Sequence, residues 1–175
     1  MKCVVTPGRL GLVVMIGFVV GYAGAGMLWP DPKRAGRIAT LFEDICVTRA
    51  KGIPTDPMAF GLYKIKWPES SWLDVKSRSF LSLTNSGCEI RTAHPNALFE
   101  RDAFELKRLV TALQVKHFPE LSFDPKAQMG SVFSGWESAP TGTRGRWGLF
   151  LFAYPDWGEN AGSALFIRFP SAQDA

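Results

Sequence analysis

The chain has 175 residues, of which 20 are Lys or Arg and 16 are Asp or Glu, for a formal net charge of +4. Lys2 and Arg9 supply two of the basic residues, so 18 basic residues stand against 16 acidic ones in the rest of the chain. This near-balance gives no reason to expect a nucleic-acid partner, which requires basic residues clustered on one face. Residues 30–175 have the length of one ordinary domain.

The first 29 residues have the pattern of an export segment. Lys2 and Arg9 precede an uncharged apolar stretch, residues 10–29, that ends at Trp29. A helix of this length is long enough to cross a hydrocarbon core of roughly 30 Å, so a retained transmembrane anchor is one interpretation. A cleavable signal peptide is the other, with residues 10–22 as its apolar core and the small residues 23–25 as its cleavage site. The sequence favours cleavage.

Both interpretations place residues 30–175 outside the cytoplasm. The domain is then either free in the periplasm or anchored in the inner membrane and facing the periplasm. The membrane is a partner only through the N-terminal segment, and only if that segment is retained.

The first element of the domain is predicted to be a helix. Asp31 is a capping residue, and Pro32 suits the first helical position. Gly52 is a stop signal at the far end. Apolar residues recur between them at helical spacing, at Ile38, Leu41, Phe42, Ile45 and Cys46.

Strands are predicted next, because polar and apolar residues alternate at residues 63–67, 72–75 and 80–83. Residues 85–87 form a short turn between strands at 81–84 and 88–92, which predicts a hairpin. A second helix follows, with Asp102 and Glu105 spaced as a capping box. Its predicted buried stripe consists of Leu106, Leu109, Val110 and Leu113.

The C-terminal part is predicted to be a three-stranded meander over residues 131–137, 147–153 and 164–169. The middle strand is apolar on both faces, so we expect it to be central or to be covered on both faces. The order helix, strands, helix, strands has no βαβ rhythm. The fold class predicted is therefore α+β, an antiparallel β-sheet with one or two packed helices, preceded by the N-terminal apolar signal or transmembrane helix.

Two cysteines remain after export, Cys46 on the apolar face of the first helix and Cys88 at the start of a strand. An even number of cysteines in an oxidising compartment favours a disulfide, and two buried free thiols are the alternative. We expect the bond, which would join the first helix to the hairpin.

No catalytic motif is recognisable. His94 and His117 lack the spacing of zinc ligands, and a Cys-x-x-Cys redox motif is absent from the sequence. The glycine-rich stretch at 142–148 lacks the lysine and hydroxyl pair of a phosphate-binding loop. No catalytic residue, metal site or cofactor is therefore expected.

The same stretch supplies the one candidate binding site, formed by Arg144, Arg146 and Trp147 at a hairpin tip. Guanidinium groups there can make bidentate contacts with carboxylate or phosphate, although the sequence favours an ordinary solvated turn. The leading functional hypothesis is a small exported envelope protein, a non-enzymatic binding or accessory domain whose partner is an envelope protein or polymer. The alternatives are a periplasmic hydrolase without a recognisable motif, and a membrane-tethered scaffold of a multiprotein complex.

Overall fold

The structure is a computed structural model that describes residues 32–66, 70–125, 132–140, 142–154 and 158–169. Over these residues the α+β prediction is confirmed: one antiparallel sheet of eight strands carries two helices. The predicted signal or transmembrane segment, residues 1–29, lies outside the described residues. Within the described ranges, no helix combines the length and the apolar character needed to cross a membrane.

The first helix, α1, changes its winding along its length. It is α-helical over Pro32–Leu41, π-helical over Phe42–Val47 and α-helical again over Thr48–Ala50. Gly52 follows with φ +78°, a left-handed conformation that glycine adopts without strain. The predicted apolar stripe is buried as expected. The π-helical turn was not predicted.

A meander of four strands follows α1. A short 3₁₀ helix, Pro57–Phe60, precedes it. The strands are β1 Tyr63–Lys64, β2 Ser71–Asp74, β3 Ser79–Leu83 and β4 Gly87–Ala93. Val75 was predicted to end the second strand, but it lies in the β2–β3 turn and its side chain is exposed.

The second helix, α2, spans Glu100–His117. It begins two residues before the predicted capping box. Phe99 is the N-cap residue and makes no side-chain cap hydrogen bond, while Asp102 lies inside the first turn. Glu105 pairs instead with Arg108, one turn further along. The predicted capping box is therefore wrong, whereas the predicted buried stripe is confirmed at Leu106, Val110 and Leu113.

A second meander of four strands follows α2. Its strands are β5 Ser122–Phe123, β6 Val132–Glu137, β7 Gly148–Tyr154 and β8 Gly162–Arg168. The last three match the predicted strands within two residues. Strand β5 was missed because two residues are too few for alternation to be recognised.

The two halves of the chain repeat one topology, a helix followed by a four-stranded meander. The strand order is β1-β2-β3-β4-β8-β7-β6-β5, so β4 and β8 meet at the centre of the sheet. Gly87 pairs with Arg168 and Ala93 pairs with Gly162, so the first residue of each central strand faces the last residue of the other. The pairing is thus unchanged when the two halves are exchanged, and Ile90 opposite Leu165 marks its midpoint.

The two helices pack against each other and on one face of the sheet, and a single hydrophobic core lies between the layers. The strands contribute to this core their inward residues, which include Leu81, Cys88, Ile90, Leu149, Leu151, Leu165 and Ile167. None of the described helices packs on the opposite face. We call that opposite surface the open face.

A buried polar cluster fastens α1 to the β2–β3 turn. Asp74, 1% exposed, pairs with Arg37 at 3.1 Å and accepts hydrogen bonds from the backbone and hydroxyl of Ser77 at 2.8 and 2.5 Å. Burial acts to raise the pKa of Asp74, but the hydrogen bonds from Arg37 and Ser77 outweigh it and hold that pKa below its usual value. Arg34 adds a 2.6 Å bond to the Ser77 carbonyl. The cluster is therefore structural.

Candidate functional site

The predicted disulfide is present between Cys46 and Cys88. The Cα atoms are 5.3 Å apart, inside the range that a disulfide requires. The π-helical turn carries Cys46 and the second residue of β4 is Cys88, so the bond joins the helical layer to the central pair of strands. Both cysteines are buried.

The three residues of the predicted hairpin site do not form one cluster, because their side chains lie in different surroundings. Arg144 is exposed in the turn. Arg146 lies 2.5 Å from the carboxylate of Glu137, whose side chain is 2% exposed. Trp147 packs its ring edge-on against Phe118, at the helix side of the sheet. The hairpin therefore leaves Arg144 exposed, while Arg146 neutralises a buried carboxylate.

The Glu137–Arg146 contact is an ion pair without a well-aligned hydrogen bond, because Oε2 of Glu137 and Nη1 of Arg146 find no partner of correct geometry among the described residues. Burial raises the pKa of Glu137, and Arg146 and Arg168 partly offset that increase. The carboxylate thus depends on nearby cations to stay charged.

The open face carries a ladder of phenylalanine rings on the second half of the sheet. Phe150 and Phe166 are direct cross-strand partners with ring centroids 4.7 Å apart, and Phe152 lies 5.7 Å from Phe166 with its ring plane only 4° away. Phe133 extends the ladder at 4.4 Å from Phe152. The rings of Phe150, Phe152 and Phe166 remain partly exposed. A partly exposed apolar surface of this kind is typical of an interaction site.

Arg168 is the functional candidate that sequence reasoning missed. It ends β8 on the open face, and its partners on the two neighbouring strands are Gly87 and Gly148. A Cβ at Gly87 would lie 2.6 Å from the carbonyl oxygen of Ile167, and one at Gly148 would collide with that of Trp136, so the sheet requires both glycines. Because glycines flank it on both sides, no side chain on the adjoining strand positions packs against Arg168.

Two hollows meet at Arg168. The first, which we call the Arg168 groove, has a volume of 280 Å³ and opens to solvent. Its side-chain lining comprises Ser82, Thr84, Ser86, Glu89, Phe166 and Arg168. The second has a volume of 250 Å³ and is lined by Thr143, Gly145, Arg146, Arg168 and Phe169. Arg168 therefore links the aromatic ladder to the predicted hairpin site.

A second polar cluster joins the π-helical turn of α1 and the residue Lys51 after it to the C-terminal end of α2. His117 donates through Nε2 to Glu43 at 2.7 Å, and its Nδ1 accepts from Lys51 at 3.0 Å. Hydrogen bonds from Lys116 and His117 hold the pKa of Glu43 below its usual value. A carboxylate–imidazole pair can serve catalysis when the second nitrogen meets a nucleophile, but here that nitrogen meets an ammonium group. The pair therefore ties the helices together.

No three His, Cys, Asp or Glu side chains within the described ranges converge in a way that could hold a metal ion. Comparison with protein-family models, curated proteins and solved structures gives no significant match. Function must be argued from the surface itself.

Proposed function

We propose that the chain is a non-enzymatic binding domain that works outside the cytoplasm and holds its partner on the open face of the sheet. The observation that carries the proposal is the meeting of partly exposed, nearly parallel phenylalanine rings with the exposed guanidinium of Arg168, on a surface that none of the described helices covers. Aromatic and arginine side chains are the residues that most often dominate binding energy.

The expected location rests on the N-terminal segment, in which two basic residues precede an apolar stretch. The Cys46–Cys88 disulfide is consistent with an oxidising compartment. An envelope protein or polymer is then the partner within reach of the domain. The exposed cations Arg144 and Arg168 favour an acidic one.

The test is co-sedimentation of the full-length protein with insoluble envelope material. Phe80 is 43% exposed on the open face, and Phe104 is 52% exposed on α2. The double variant Phe80→Ser/Arg168→Gln should bind at least about tenfold more weakly, since it removes an aromatic and a cationic contact. The matched control Phe104→Ser/Arg101→Gln makes the same chemical changes on the helical layer and should bind like the wild type.

The open face is excluded as the binding surface if the control loses as much binding as the open-face variant. It is likewise excluded if the open-face variant, shown to be folded by circular dichroism, binds as tightly as the wild type.

A further inference from the structure

The Arg168 groove has a size suited to a small ring. Its volume of 280 Å³ lies just below the range of about 300–1,000 Å³ that is typical of small-molecule sites. The groove is open to solvent, so a ring held there can belong to a longer chain. Arg168 also lines the hollow beside Arg146.

The groove carries the cation Arg168, which also interacts electrostatically with Glu137 across Gly148. Its only carboxylate, Glu89, is held by Arg91 through three contacts of 2.9 to 3.1 Å, so this pair is internally neutral. Arg168 makes no ion pair with another of the described residues at contact distance. Its planar guanidinium is therefore free to bind a carboxylate in a bidentate manner.

The remaining lining is a row of hydroxyls beside an aromatic ring. Ser82, Thr84 and Ser86 each contribute a hydroxyl, and Phe166 adds a partly exposed apolar wall. The Thr84 hydroxyl donates to the Gly87 carbonyl and lies 3.3 Å from the Ser86 hydroxyl, so it is available to a ligand mainly as an acceptor. The ligand that fits this combination has several hydroxyls, an apolar ring surface and one acidic group. An acidic sugar has all three.

We infer that the Arg168 groove binds a carboxylate-bearing saccharide unit, with the carboxylate on Arg168, the ring against Phe166 and the hydroxyls on the serine and threonine side chains. This inference rests on the proposed function, since it names the chemistry of the partner held on the open face. The hollow beside Arg146 would hold the next part of an extended ligand.

The experiment is calorimetric titration of the full-length protein with three probes: an oligogalacturonate, its fully methyl-esterified form, and poly-L-glutamate of equal charge. We expect binding of the oligogalacturonate that weakens with added salt. The esterified probe lacks the charge, and poly-L-glutamate lacks the sugar, so each should bind at least about tenfold more weakly.

Two variants locate the site on the protein. Arg168→Gln and Phe166→Leu should each weaken oligogalacturonate binding, the first by about tenfold or more. Arg101→Gln makes the same charge change on α2 and should leave the affinity unchanged. Equal binding of all three probes, or equal loss in Arg168→Gln and Arg101→Gln, overturns the inference.

The two proposals fail separately. If the open-face double variant loses envelope binding while no probe binds the wild type, the acidic-sugar inference is wrong and the binding surface stands. If envelope binding does not depend on the open face, the proposed function is wrong as well.

Discussion

The most direct test of the fold is removal of the disulfide in a Cys46→Ala/Cys88→Ala double variant. The two cysteines are 42 positions apart in the sequence, and the chain-entropy relation gives about 4 kcal/mol of stabilisation for a loop of this length. Both side chains are buried in the shared core, so their loss also removes contacts between α1 and β4. For a domain of this size, the melting temperature should fall by roughly 8–16 °C.

The assay is thermal and urea unfolding of the full-length protein, with mass spectrometry under non-reducing conditions to verify that the wild type is two protons lighter than its reduced form. Cys3→Ala is the matched control, because it removes a thiol without touching the bond. A double variant that melts within about 2 °C of the wild type would show that the bond does not constrain the unfolded chain, and the reasoning would be refuted.

Three further predictions concern buried charge and location. Arg37→Gln should destabilise by about 2–3 kcal/mol at pH 7, because Asp74 stays buried. Folding lowers the pKa of Asp74 below 3.8, so the stabilisation from its ion pair is present above that pH and is lost as the pH falls through the folded pKa. Urea unfolding should therefore show a smaller difference in unfolding free energy between the wild type and Arg37→Gln at pH 3 than at pH 7. An equal difference at the two pH values would contradict this. Folding raises the pKa of Glu137 above 4.5, so the free energy of unfolding falls as the pH rises from 4.5 through the folded pKa. The loss of unfolding free energy caused by Arg146→Gln should therefore be larger at pH 7, where Glu137 is charged, than at pH 4. An alkaline phosphatase fused to the C-terminus should be active; an inactive fusion beside an active cytosolic reporter would rule out export.

The elements of the core were predictable from the sequence because burial leaves a periodic pattern. The stripe of α1 and the strands β3, β4, β7 and β8 are predicted correctly, and each of these elements packs an apolar surface against the other layer. Elements without that pattern were misjudged. The start of α2 was placed late because Asp102 resembles a cap, and the π-helical turn of α1 has no sequence signature.

The candidate site was much less predictable, because its geometry depends on pairing across the sheet. Arg168 is unremarkable in sequence, and it becomes accessible only because Gly87 and Gly148 flank it from β4 and β7. Likewise, Glu43 and His117 meet although they are 74 positions apart. The hairpin arginines were visible as a motif, but nothing in the sequence indicated that Arg146 would pair with Glu137.

The repeated topology separates the positions that fold the chain from those available for binding. Leu81 pairs with Ile90 in the first half as Leu151 pairs with Leu165 in the second, and these inward positions are aliphatic in both halves. On the open face Phe80 corresponds to Phe150, but the neighbouring positions differ, since Ser82 corresponds to Phe152 and Arg91 to Phe166. Packing against the helices demands apolar residues only on the inner face. The fold therefore does not explain the aromatic ladder of the second half, whereas a partner of the kind proposed would.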